Sequence, residues 1–342
     1  MATYVSTQET TSLTSPPDVT QAYFSRKMLT RAKYRNYFDR WSEKTNLPSN
    51  EGKTIIMRRW AHLAMALSAL SEGVPPGGNT PTLTDFQATL AQYGDFIAMS
   101  DFIRFTAKDP ILNEWTDLLG EQAGYTIDAI KRNTADAGTT VIYSNGTART
   151  DLVSPLDPND LDRAIRTMMS AGGEMILGGS DGSTMQGTVP TLPAWPCVIH
   201  PRTLMTIQNF GGGANGFRYS SDYKGAADDE IGRYKMLAFF VAADPSTLGA
   251  GARVRTSGGG TSSLVTNTSG TADVYESLIF SKRGFNSVTL SGQSMKTFMK
   301  PVGSAGALDP LDQVGTVGWK CTTTQVRTNE NWIVRLEHCV EL

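Results

Sequence analysis

Residues 51–100 constrain this chain more than any other stretch. Lys53 to Trp60 (KTIIMRRW) is β-prone, residues 72–82 (EGVPPGGNTPT) are a dense cluster of breakers, and Leu83 to Ser100 is extended again with a bend at Gly94. Together they predict a β-hairpin of roughly 45 residues with an irregular tip. Two strands alone are marginal in water. A hairpin that long needs a cover, and the remaining segments have their own apolar faces to bury, so the pattern points to assembly.

Charge and cysteine use narrow what kind of assembly this is. The 342 residues carry 31 basic and 33 acidic side chains, a net charge of −2. That balance argues against a protein built mainly to coat nucleic acid or an anionic membrane. The longest apolar run, Met236 to Ala243, is too short to span a bilayer, so no membrane partner is expected. The first thirty residues lack a basic start followed by an apolar stretch, so no secretory signal is predicted. Cys197, Cys321 and Cys339 are odd in number and widely spaced, which fits reduced thiols. His62, His200 and His338 have no cysteine in zinc-site spacing, and neither a metal nor a cofactor is expected.

Residues 1–20 are polar and rich in Ser, Thr and Pro, and cannot form a core alone. Phe24, Met28, Tyr34, Tyr37, Phe38 and Trp41 then recur at helical spacings, with Arg26, Lys27, Arg31, Lys33, Arg35 and Arg40 between them. A basic amphipathic helix is expected to about residue 44, either as a solvated face or as an arm that meets a neighbour or nucleic acid. Residues 109–134 are the clearest helix, with Asp109 placed to cap and Pro110 in the first turn. A short strand pair turning at Asn145-Gly146 is expected next, then a helix over 158–170 ended by Gly172-Gly173. Further on, the pattern predicts a strand near 195–200, a helix at 202–210, strands at 233–243 and 274–281, and two closing strands over 314–338 turning at Thr328-Asn329. Residues 211–216 and 245–272 read as Gly/Ser-rich loops.

The catalytic motifs do not hold up. Gly178 to Gly182 (GGSDG) matches the nucleophile elbow, and a triad Ser180, Asp244, His338 can be written. The strand before the serine is meagre, however, and the segment after it is broken by Gly and Pro. Gly211, Gly213 and Gly216 match a dinucleotide fingerprint, but they follow a helix and precede a non-helical segment. His62, beside Trp60 and Leu63, reads as a packed or interface histidine, and His338 beside Cys339 has its neighbour's thiol on the opposite strand face. No catalytic residue is assigned, and no enzyme is expected.

Four ordered stretches carry a resemblance. They are GKTIIMRRWAHLAMALSALSEGVPPGG (52–78), QYGDFIAMSDFIRFTAKDPILNEWTDLLGEQAGYTIDAI (92–130), ADVYESLIFSKRGFNSVTLSG (272–292) and DPLDQVGTVGWKCTTTQVRTNENWIVRLE (309–337). The set resembles the major capsid protein of tailed bacteriophages, in the family related to the coliphage N-four capsid subunit, with the fold named after phage Hong Kong 97. Residues 173–230 depart most from that pattern.

The resemblance implies an α+β capsid fold in five segments. These are an N-terminal arm (1–50), an extended β-hairpin loop (51–100), a peripheral domain with a long spine helix (101–154), an axial domain (155–300) and closing strands of the peripheral domain (301–342). It implies a structural protein of the virion, made in the bacterial host cytoplasm, that self-assembles as a homo-oligomer of pentamers and hexamers into an icosahedral shell around double-stranded DNA. A portal protein and a separate scaffolding protein are implied partners, a decoration protein is allowed, and contact with the packaged DNA is weak and non-specific. The expected inter-subunit residues are Arg58, Arg59, Trp60, Pro75, Pro76, Arg104, Gly211, Gly212 and Gly213, and the expected interior DNA contacts are Arg31, Lys33 and Arg35. One member of the fold crosslinks through a lysine on its extended loop; here only Lys53, at the loop base, is available, so no such crosslink is expected. Two alternatives stand beside this reading: an encapsulin-like compartment with the same fold, and a carbohydrate-binding β-rich adhesin.

Overall fold

The computed structural model describes residues 28, 37–67, 69, 72–73, 77–106, 111–177, 192–211, 216–242, 252, 254–255, 272–291, 295–303, 311 and 313–341. Its organising element is helix α2 (Ile111–Asp136), preceded by the short α1 (Asp101–Thr106). The expected helix is present and runs two residues further; its proposed cap at Asp109 and Pro110 lies outside the described residues.

A five-stranded sheet lies along α2. Strand β14 (Val314–Arg327) is its axis. Along its first part β14 pairs with β4 (Ala91–Ser100) on one side and β13 (Met295–Lys300) on the other; its last residues pair with β12 (Phe285–Leu290), and β1 (Glu43–Leu47) runs parallel to β12. The inner face of this sheet packs Val317, Trp319 and Cys321 against Leu119 and Ala123 of α2. Gln122 ties the layers with polar bonds: its amide donates to Asp95 Oδ2 at 2.5 Å, and Trp319 Nε1 donates to its carbonyl at 3.4 Å.

An eight-stranded sheet forms the second layer. Its order is β5 (Val141–Tyr143), β15 (Ile333–His338), β11 (Val274–Phe280), β6 (Trp195–Ile199), β9 (Leu237–Val241), β8 (Gly232–Tyr234) and β7 (Phe217–Tyr219), with β10 (Val254–Arg255) beside β11. Strands β6, β9 and β11 are buried along nearly their whole length because both faces are covered. One face meets Leu161, Ala164, Ile165 and Met168 of α3 (Pro158–Ser170) and Ile207 of α4 (Pro201–Gln208). The other meets Phe38, Trp41 and Ala135.

Helix α3 matches its expected bounds. Pro158 sits in its first turn, the Asp160 carboxylate accepts the Asp157 N–H at 3.1 Å, and Gly172 closes it at φ 66°.

Four expectations are corrected. The helix expected to about residue 44 does not run that far: among the described residues Asp39–Trp41 is a 3-10 turn followed by β1, because Phe38 and Trp41 are buried on the eight-stranded sheet rather than on a helical face. The strand pair at Asn145-Gly146 does not form. Strand β5 pairs in parallel with β15, and Asp151 Oδ2 accepts from the Thr147 and Ala148 N–H groups to hold the loop. Residues 233–243 form two strands, β8 and β9, because Lys235 takes φ 50° and turns the chain. Strand β4 leaves the extended hairpin and joins β14, so the hairpin proper is β2 (Thr54–Trp60) with β3 (Leu83–Thr89). Sheet pairing also crosses the expected segment bounds, since β12 and β13 join the β4–β14 sheet while β15 joins the eight-stranded one.

Candidate assembly interface

The β2–β3 hairpin has two unlike halves. At its base, Ile55, Met57 and Ala88 pack over Leu47, Val288, Leu290 and Val326, so the chain covers this part itself. Beyond Met57 the cover ends. Trp60, Leu63, Met65 and Leu67 are exposed, with Met65 at 84% and Leu67 at 87%, and Ile56 is exposed on the face of β2 opposite Ile55 and Met57. A contiguous apolar run on an unpaired extended segment marks a surface that another molecule covers.

The expected contact residues fall on this hairpin in different ways. Arg58 pairs with Asp85 across the ladder at 3.4 Å, an exposed pair of small energetic weight. Arg59 donates to the Thr328 carbonyl at 3.0 Å and lies 5.3 Å from the Phe86 ring centre, which clamps the hairpin to the body. Trp60 projects with 61% of its surface exposed. His62 is exposed too, so it is not packed within its own chain. Arg104 lies on α1. Gly211 is exposed, and a Cβ added there would meet no atom within 4 Å. Pro75, Pro76, Gly212, Gly213, Arg31, Lys33 and Arg35 lie outside the described residues, as do residues 178–182 and Asp244.

The catalytic candidates that are described are structural. The His338 imidazole is fully buried, with Ser277 Oγ 2.9 Å from Nε2 and the Cys339 carbonyl 2.9 Å from Nδ1. Burial pushes its pKa down to about 4 and pushes the Cys339 thiol up to about 11, the opposite of an activated pair. His200 caps α4 by accepting the Arg202 N–H at 3.2 Å, and burial takes it to about 4 as well. All three cysteines are free and buried. Among the described residues no His, Cys, Asp or Glu cluster could hold a metal ion, and no helix is long and apolar enough to cross a membrane.

Two features escaped the sequence reading. Gly120 lies in the interior of α2, and a Cβ there would stand 2.8 Å from the carbonyl oxygen of Met28, which is fully buried against α2. Met28 meets the helix at a position without a side chain. Asp128, also on α2 and fully buried, accepts the Phe38 N–H at 2.9 Å and anchors the end of the same arm. A glycine within an otherwise regular helical pattern was the available signal for the first.

Comparison with solved structures identifies this architecture. The capsid of Ralstonia phage GP4 matches with a TM-score of 0.63 and 8% identity, over 88% of this chain and 87% of that one. The head structure of Helicobacter pylori bacteriophage KHP40 matches with 0.57 and 11%, over 88% and 87%. The capsid of cyanophage P-SCSP1u matches with 0.55 and 14%, over 89% and 88%. At such identities the likeness shows the fold, which is of the Hong Kong 97 type. No curated protein matches the sequence. A family model described as phage capsid protein matches residues 84–287, more than half of the sequence, and the chain belongs to that family.

Proposed function

We propose that this capsid protein builds its shell by placing the distal half of the β2–β3 hairpin across a neighbouring copy, in pentamers and hexamers that close an icosahedral head around double-stranded DNA. The observation that carries this is the exposed run from Trp60 to Leu67, whose apolar surface has no cover among the described residues. The protein acts by repetitive self-association and not by catalysis.

The segments divide the work in this reading. The arm (1–50) and the extended loop (51–100) reach outward, residues 101–154 and 301–342 form the peripheral part, and 155–300 form the axial part, with β12 and β13 lent to the peripheral sheet. Portal and scaffolding proteins act during assembly, and the basic residues of the arm touch DNA weakly. The finer relation to the coliphage N-four subunit rests on the four sequence stretches.

Electron microscopy of the expressed chain, alone and with the scaffolding protein encoded beside it, tests the proposal. Closed particles with five-fold vertices in either preparation support it. Subunits that stay at 37.0 kDa under both conditions overturn it.

A further inference from the structure

The outer face of the five-stranded sheet, opposite α2, has an unusual arrangement. Strand register places Phe96, Gly318 and Phe298 in one row and Gly94, Lys320 and Lys296 in the next. Lys320 and Lys296 stand directly opposite each other, a like-charge pair that destabilises a sheet. Lys300, opposite Thr316, adds a third positive charge on the far side of the phenylalanine row. None of the three lysines has an ion pair among the described residues. The nearby carboxylate, Asp95, is turned to the α2 side, where Gln122 holds it. Phe96 and Phe298 are 66% and 45% exposed, and between them lies a groove of about 440 Å³ floored by Gly318.

One edge of this face is open. Strand β4 has ten residues and, among the described residues, pairs only with β14. A long unprotected edge is a template for another strand. Only a polypeptide can continue that ladder, which favours protein over nucleic acid. A strand added beside β4 would lie about 9.6 Å from β14, two strand spacings. Gly94 has no side chain, so a carboxylate on the added strand opposite it can reach across to Lys320. The residue two positions along faces the same way and packs on Phe96. The extended loop of a second copy fits poorly, because residues 53–71 carry Lys53, Arg58, Arg59 and His62 and no carboxylate, and Asp85 on the return strand β3 is paired with Arg58.

We propose that β4 is the docking edge for a strand of a different protein, one that alternates acidic and apolar side chains and uses Lys320, Lys296 and Phe96 as its anchors. The geometry gives it both parts of its specificity: a charge that relieves the lysine pair and an apolar side chain for the phenylalanine slot.

Fluorescence anisotropy with the full-length subunit tests this. The probes are a labelled peptide of alternating glutamate and valine, a block peptide of the same composition with all its glutamates before its valines, a peptide of alternating lysine and valine, and single- and double-stranded DNA oligonucleotides. The alternating acidic peptide is expected to bind at least tenfold more tightly than the block peptide. Lys320→Glu, which gives Lys296 an opposite-charge partner and keeps the sheet paired, should weaken that binding at least tenfold and strengthen binding of the alternating basic peptide. Phe96→Ser should weaken binding of the acidic peptide several-fold.

Equal binding of alternating and block peptides, or indifference to Lys320→Glu, overturns the proposal. So does single-stranded DNA that outcompetes the peptide and is lost with Phe96→Ser, which would make this a nucleic-acid face. Amide-exchange protection of Ala91–Ser100 on assembly of the subunit alone overturns it in favour of a second copy.

Discussion

Glu276 on β11 and Glu337 on β15 stand directly opposite one another, both carboxylates buried, and Arg149 spans them from the loop after β5. Its Nε donates to Glu337 Oε2 at 2.6 Å and its Nη2 lies 3.7 Å from Glu276 Oε1. Arg335, held by Asp136 at the end of α2, reaches Glu337 at 2.9 Å. Two buried like charges on adjacent strands are tolerable only while both cations are present. This network joins the spine helix, the loop after β5 and the eight-stranded sheet.

Removing Arg149 therefore takes one of the two cations away from a buried pair of carboxylates and leaves Arg335 to serve Glu337 alone. Arg149→Ala is expected to lower subunit stability by about 3–5 kcal/mol. Arg149→Lys recovers only part, because an ammonium cannot make the forked contact. Urea unfolding of the unassembled subunit measures both, and a loss below about 1 kcal/mol for the alanine variant would show that the network is dispensable.

The glycine at position 120 has the opposite sign from an ordinary helix glycine. Gly→Ala inside an exposed helix normally stabilises by about 0.5–1 kcal/mol. Here the added methyl would stand 2.8 Å from the Met28 carbonyl oxygen, so Gly120→Ala is expected to destabilise and Gly120→Val to displace the arm. Limited proteolysis near Met28 reads the second effect. Faster cleavage in the valine variant is expected; unchanged cleavage with raised stability would mean that the arm does not dock there.

Elements whose periodicity suits a locally covered face were legible. The spine helix, α3 with its proline and glycine signals, and the closing strands turning near Thr328 are where the pattern places them. What failed depends on partners distant in sequence. Val141–Tyr143 pairs with Arg335–Glu337 rather than across Asn145-Gly146. Lys235 turns the chain without a glycine to announce it, and Phe38 and Trp41 mimic a helical stripe while packing from a turn and its flank. The β2–β3 hairpin was legible because its breakers and β-prone arms are local, whereas the departure of β4 to the distant β14 was not. The facing of Lys296 and Lys320 was not, since register across β13 and β14 is set by the whole sheet.

Asp128 makes the arm junction sensitive to pH. Burial raises its carboxyl from 3.8 to about 7, although the Phe38 and Tyr37 N–H groups and nearby Lys131 and Arg132 pull the other way. A folded pKa above the unfolded one gives stability that is fully present below pH 3.8 and is lost as pH rises through about 7. His200 and His338 act in the reverse sense: depressed to about 4, they contribute stability present above 6.5 and lost as pH falls toward 4. Asp128→Asn isolates the first contribution. The stability difference between wild type and Asp128→Asn should shift against wild type from pH 5 to pH 8.5, and parallel profiles would place the carboxyl pKa at its ordinary value.

The extended loop offers one lysine, Lys53, immediately before β2, where the hairpin base packs on its own sheet. Shell strength is therefore expected to come from buried area and ion pairs, without a lysine–asparagine crosslink through the distal loop. Denaturing gels of mature particles should show a single band near 37.0 kDa, and a ladder of multiples that persists under reduction would contradict this.

Trp60, Leu63 and Met65 separate folding from assembly. All three are exposed in the subunit, so replacing them removes little that the isolated fold uses. In a shell, a buried tryptophan anchor is worth about 2 kcal/mol or more at each contact, and the contact is repeated at every loop. Trp60→Ser is therefore expected to leave the unfolding free energy within about 0.5 kcal/mol of wild type. Its yield of closed particles in sedimentation should fall at least tenfold, with Leu63→Ser and Met65→Ser intermediate. A Trp60→Ser subunit that assembles as well as wild type would move the essential contact elsewhere. A subunit that unfolds would instead show that the loop tip packs on its own body.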